Sequence, residues 1–204
     1  MLLTVDSEKV DLPPLPGEKF QVYLNRIADL LMQTQRCVGT CRLDGIAIQT
    51  IEEGGLRFEA STACAIDSVP LRVALQANIA THCKTMRTLE DECESLVTDS
   101  LLSDPRQVAA AWHGLCERLK SVLDFIPALD GLLTDEQVDS LVKNHLQPLD
   151  GTMREIAGVL NKGDIVAFSD LLEMRLKPWL GGLRGFLQTQ LAAVEAMGTA
   201  IGNP

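Results

Sequence analysis

From Pro70 onward, apolar residues recur every three or four positions almost to the end of the chain, whereas the earlier part is broken and partly alternating. Leu75, Ile79, Cys83, Met86, Cys93 and Val97 line one face of a helix predicted from Pro70 to about Leu102. Val108, Trp112, Leu115, Leu119, Val122 and Ile126 line a second. Between them, Asp104 is a cap and Pro105 takes the first helical position, where a missing N–H is harmless. Pro127 and Gly131 help to end that helix. Thr134 with Gln137 three residues on is a capping box opening a third helix, carried by Val138, Val142, Leu149, Met153, Ile156 and Leu160. Gly163 supplies the left-handed residue that closes it. Asp164 then starts a fourth helix running to about Met197, with Phe168, Leu172, Leu176, Trp179, Leu183 and Phe186 as its stripe. Four amphipathic helices joined by short connections predict an up-down four-helix bundle.

The first third reads differently. "LPPLPG" at 12–17 is a polyproline-type approach. Glu18 to Gln33 predicts a helix with Phe20, Leu24, Ile27, Leu30 and Leu31 on its apolar face. Asp44-Gly45 between two β-prone runs is a hairpin signal, because a type I′ turn needs positive φ at both central residues. Gly54-Gly55 marks a second turn, and Leu56, Phe58 and Ala60 alternate with Arg57 and Glu59 as a third strand. A three-stranded β-meander is too small to stand alone and must lean on helices. The expected fold class is therefore mainly α (α+β). Residues 1–67 form an N-terminal helix plus β-meander packed on the bundle, and residues 68–204 form the bundle.

"LQPLDGTMREI" (146–156) and "LKPWLGGLRGF" (176–186) share Leu, Pro, Gly and Arg at the same offsets, thirty residues apart. Each proline removes one helical hydrogen bond, so both helices are expected to kink there.

Aromatic residues are only 4% of the chain, so the core must come from aliphatic side chains, which favours helix packing over a sandwich. The net charge of −10, with no basic stripe, argues against nucleic acid and against anionic membrane surfaces. No apolar run is long enough to span a bilayer. The start lacks a basic segment followed by a long apolar one, which points to the cytoplasm and to six free thiols rather than disulfides.

Candidate chemistry concentrates in "GDIVAFSDLLEMRLKPWL" (163–180), which carries Asp164, Asp170 and Glu173. Asp164 has a helix cap's place. Asp170, Glu173 and Lys177 share another face, with Glu173 and Lys177 in the favourable i, i+4 order. A solvated face explains them; a carboxylate pair for metal or acid–base work is the alternative. The same stretch resembles the closing helix of an uncharacterised bacterial family of small helical-bundle proteins with the pattern Asp-x-Val-x-x-x-Asp-Leu-Leu-Glu-x-x-Leu-x-Pro. The bundle is similar in outline to flagellar export chaperones. The family resemblance implies a helical bundle and no known reaction.

Cys37 and Cys41 share a strand face, a weak metal spacing. His113 and Cys116, three apart on one helix, could meet His82 and Cys83 on the preceding one, and Cys93 lies further along it. A Cys/His zinc site between those helices competes with simple burial of the cysteines on apolar stripes. His145 falls on an apolar face, as a core histidine does. Gly54-Gly55 is not followed by a phosphate-loop Lys, and no nucleophile elbow is present. Gly181, Gly182 and Gly185 thin the last helix, and Leu187, Leu191 and Val194 extend its apolar edge toward the terminus. That edge is either core or the docking surface for a protein partner or a second copy. No catalytic constellation and no cofactor motif emerges. The expected function is a non-enzymatic protein–protein interaction module, chaperone- or adaptor-like. The alternative is a metal- or small-ligand-binding bundle using Cys and His between helices.

Overall fold

A computed structural model describes residues 1–129 and 133–199, with side chains through residue 196. Gly131, expected to help end the second long helix, and the side chain of Met197 lie outside the described residues. The chain divides into two compact units, Met1–Ala77 and Asn78–Pro204. The protein is mainly helical with a small mixed sheet.

The first unit holds strands β1 (Leu2–Val5), β2 (Glu8–Val10), β3 (Arg36–Leu43), β4 (Ile46–Ala47) and β5 (Ala63–Pro70). Helices α1 (Phe20–Met32) and α2 (Ile51–Phe58) lie between them in sequence. The sheet order is β2-β1-β5-β3-β4, with β1 and β5 parallel and the other pairs antiparallel. This corrects the expected three-stranded meander. The chain's first residues are strands, and Asp6-Ser7, both at positive φ (49° and 71°), make the tight turn between β1 and β2. The Asp6 carboxylate accepts hydrogen bonds from the Ser68 hydroxyl (2.6 Å) and the Ser68 N–H (2.8 Å), which hold its pKa below the usual carboxylate range. Those bonds tie the turn to β5. The Asp44-Gly45 hairpin forms as expected, with φ of 49° and 83°. Leu3, Cys41, Leu43, Cys64 and Ile66 alternate onto one face and pack with Phe20, Tyr23, Ile27, Leu31 and Phe58.

Helix α2 stands where a third strand was expected. Thr50 Oγ1 accepts from the Glu53 N–H (3.1 Å), and the Glu53 carboxylate accepts from the Gln49 N–H (3.1 Å), so the helix start is secured from both directions. The alternation of Leu56 with Phe58 was misleading, since Leu56 is 88% exposed and Phe58 is 7% exposed. Gly54 is not a turn residue but a gap under an aromatic ring: a Cβ there would lie 1.9 Å from Phe20 Cε1.

The second unit continues α3 (Leu71–Asp99), followed by α4 (Pro105–Phe125) and a 3-10 turn at Ile126–Leu129. Two interrupted rods complete it. One is α5 (Asp135–Leu141), a π-turn (Val142–Leu146) and α6 (Gln147–Asn161). The other is α7 (Ile165–Leu171), a π-turn (Leu172–Leu176) and α8 (Lys177–Thr199). With each rod taken as one, six helices are described across the chain, in place of a clean four-helix bundle with one preceding helix. The caps fall where the sequence placed them. Asp104 accepts from the Arg106 N–H with Pro105 at the first helical position, and Thr134 and Gln137 form the full capping box. The Gly163 N–H donates to the Leu160 carbonyl and the Asp164 N–H to the Val159 carbonyl, with Gly163 at φ 68°. Asp164 Oδ1 then accepts from the Ala167 N–H (3.0 Å). The rods repeat each other in structure: caps at Thr134 and Asp164, π-turns opening at Val142 and Leu172, prolines at 148 and 178.

The residue before each proline reaches back five positions, Gln147 N–H to the Val142 carbonyl and Lys177 N–H to the Leu172 carbonyl. A proline ring pushes on the carbonyl four residues back, and a wide turn just ahead of it relieves that pressure. The expected kink thus takes the form of a π-turn. Carbonyls of both π-turns also accept from side chains outside them. The Trp179 indole donates to the His145 carbonyl at 2.7 Å, and the Cys93 thiol to the Leu172 carbonyl at 3.8 Å. One aliphatic core runs through the unit, with Ile79, Met86, Leu89, Leu115, Ile156, Phe168, Leu172 and Leu183 fully or nearly fully buried.

Candidate functional site

Within the second unit, α3 and α4 run antiparallel, as the pairs Glu92–Arg118 and His82–Phe125 require. Toward the connection between them the facing positions are short: Thr88, Ser95, Ser103 and Ala111. Short side chains leave a groove of about 510 Å³ between the helices. Its floor is apolar, made by Leu96, Val108 and Leu115, all buried. Its rim carries Asp91, Glu92 and Asp99 against a single cation, Arg118. Arg118 is engaged already, its Nε and Nη2 donating to Glu92 Oε2 at 3.0 and 2.6 Å. Two carboxylates, Asp91 and Asp99, therefore set the sign of the opening. Leu101 and Leu102, between the lining residues Asp99 and Ser103, are 57% and 84% exposed. Leucines held in water beside a groove with an apolar floor extend its apolar character outward.

The four candidate metal ligands do not meet. His82 stacks on Phe125 (ring centroids 4.2 Å apart, 18° between planes), and its buried Nδ1 has no hydrogen-bond partner. Burial lowers its pKa. Cys83 and Cys116 are half-buried, and their thiols are pushed up by burial. His113 is exposed. Among the described residues no three His, Cys, Asp or Glu side chains are grouped to hold a metal ion.

The carboxyl-terminal edge is core rather than an exposed patch. Leu187 and Val194 are buried and Leu191 packs half-buried against the same core, the covered arrangement that the core alternative expects. His145 is half-buried against Phe186, with centroids 5.8 Å apart, beside the space left by Gly182. Asp170 and Glu173 are exposed. Lys177 pairs with Glu94 (3.2 Å) on α3 rather than with Glu173. The π-turn at Leu172–Leu176 explains the change of partner, because the i, i+4 relation belongs to α-helical register.

The groove was not foreseen. Its polar residues lie off the apolar stripes that the sequence shows, and only the pairing of the two helices makes a concavity. No protein-family model matches the chain, and no curated protein or solved structure is significantly similar to it. Among the described residues no helix is long and apolar enough to cross a membrane.

Proposed function

We propose that this protein is a non-enzymatic interaction module, adaptor- or chaperone-like, that receives a basic amphipathic segment of another protein in the groove between α3 and α4. The groove itself carries the reading: an apolar floor framed by Asp91 and Asp99 and continued by exposed Leu101 and Leu102. An incoming helix lays its apolar face on Leu96, Val108 and Leu115, while its lysines or arginines meet the rim. The rim acids contribute mainly to rate and orientation, the floor to affinity. The overall charge of −10 supports the same sign of partner.

A synthetic helix with one Leu face and one Lys face tests this. Binding is followed by fluorescence anisotropy and located by amide chemical shifts. Asp91→Lys combined with Asp99→Lys, both at exposed positions, is expected to weaken binding at least about tenfold, equivalent to about 1.4 kcal/mol, with an unchanged melting temperature. Binding to the wild type should also fall as salt screens the rim. Unchanged affinity in the double variant, or shifts confined to other helices, would exclude the groove.

A further inference from the structure

In the first unit, Cys41 on β3 and Cys64 on β5 bring their sulfurs to 3.9 Å. Their register explains the approach: Cys41 pairs with Ile66 and Leu43 with Cys64, so the two cysteines are diagonal neighbours on one face of adjacent antiparallel strands. A disulfide requires about 2.05 Å between sulfurs, so closing the pair takes a shared movement of about 2 Å. The other thiols with resolved partners are directed elsewhere, Cys37 toward the Val69 carbonyl and Cys93 toward the Leu172 carbonyl.

The pair is buried but not sealed. Cys41 lines a cavity of about 400 Å³ whose walls include Phe20, Leu24, Val38 and Ile48 and whose rim includes exposed Thr40 and Gln49. Cys64 is only 1% exposed. A reagent entering from solvent therefore meets Cys41 first. Either thiol can donate to the other, so the first of the two to lose its proton is stabilised as a thiolate by its neighbour. Access thus singles out Cys41 as the attacking sulfur, with Cys64 beside it as hydrogen-bond donor to the thiolate.

We propose that Cys41 and Cys64 form a redox-active dithiol, which a low-molecular-weight disulfide entering the cavity converts into a cross-strand disulfide. The Cys41 thiol gives its proton to solvent, and its sulfur attacks one sulfur of the reagent. A mixed disulfide forms and one reagent thiol leaves. Cys64 then loses its proton and attacks the Cys41 sulfur, releasing the second reagent thiol. Two protein thiols are oxidised and one reagent disulfide is reduced to two thiols, so atoms and electrons balance. The product pins β3 to β5, the central strand of the sheet, and removes a thiol from the cavity wall.

The experiment incubates the folded, reduced full chain with oxidised glutathione, quenches it with acid, and titrates thiols under denaturing, non-reducing conditions. All six cysteines are expected to titrate beforehand and four afterwards, with a peptide map linking the Cys41 and Cys64 peptides and dithiothreitol restoring six. Six thiols after treatment would overturn the proposal. So would a link between any other two cysteines, or Cys41 held as a stable glutathione adduct without closure. The map is read on the unsubstituted chain, so it stands whether or not variants fold. In Cys64→Ala, where folded, Cys41 is expected to stop at the glutathione adduct; absence of that adduct would contradict attack by Cys41.

Discussion

Gly54 and Gly55 are neighbours in one short helix, yet only one of them needs to be glycine. A Cβ at Gly54 would enter the Phe20 ring, whereas nothing lies within 4 Å of one at Gly55. Gly55→Ala is therefore expected to stabilise the protein by about 0.5–1 kcal/mol through helix propensity, and Gly54→Ala to destabilise it by about 1–3 kcal/mol through overpacking. Urea denaturation compares the two. A second contrast concerns Asp164, whose carboxylate caps α7. Asp164→Asn should be nearly neutral and Asp164→Ala should cost about 0.5–2 kcal/mol; equal large losses in both would indicate a role that depends on the charge. Asp104, Thr134, Gly163 and Asp164 were all legible from sequence, because a cap depends on residues within one turn of it. Gly54 was not, because its reason is Phe20, in a different helix.

At the scale of elements, the two proline-bearing rods are built alike. Caps, π-turns and prolines coincide at an offset of thirty residues, although few residues are identical between the copies. The prolines and their shared neighbours announced a disturbance of the helix, but its kind follows from which carbonyls find donors. Trp179 supplies one such donor across the rods, to the His145 carbonyl. Trp179→Phe keeps most of the apolar contact and removes the donor, so a loss of about 1–3 kcal/mol is expected if the carbonyl stays dry. The loss should appear in denaturant melts together with faster amide exchange around the first π-turn. Helix α2 gives the opposite lesson. Thr50 and Glu53 carried a capping signal, and the alternation of Leu56 and Phe58 competed with it. Five residues of alternation are weak beside a helix start whose donors are satisfied, and Leu56 is left in water as a result.

For the whole molecule, two half-buried histidines make stability depend on pH. Burial lowers the pKa of His82 and of His145 below the ordinary value of 6.5, so the unfolded chain binds protons more tightly at both sites. Their linkage is without effect above about 6.5 and lowers stability progressively as pH falls from there through the depressed folded values. Between about pH 7.5 and 5.5 the wild type is expected to lose more stability than His82→Leu, in which one of the two sites no longer titrates. Parallel pH profiles for the two proteins would contradict this.

The local pattern alone determined the helical character, the four apolar stripes from residue 70 onward, most of the caps, the Asp44-Gly45 hairpin and the aliphatic core. All of these rest on periods and turn preferences that act within a few residues. Tertiary structure decided the rest. It recruited the first ten residues into the sheet as β1 and β2, beside a strand some sixty positions away. It set Cys41 against Cys64, buried Leu187 and Val194, and kept His82 and His113 from sharing a metal. It also turned the wet faces of two helices into an acidic groove. Each of these depends on which distant residues become neighbours, and periodicity says which face of an element is apolar without saying what covers it.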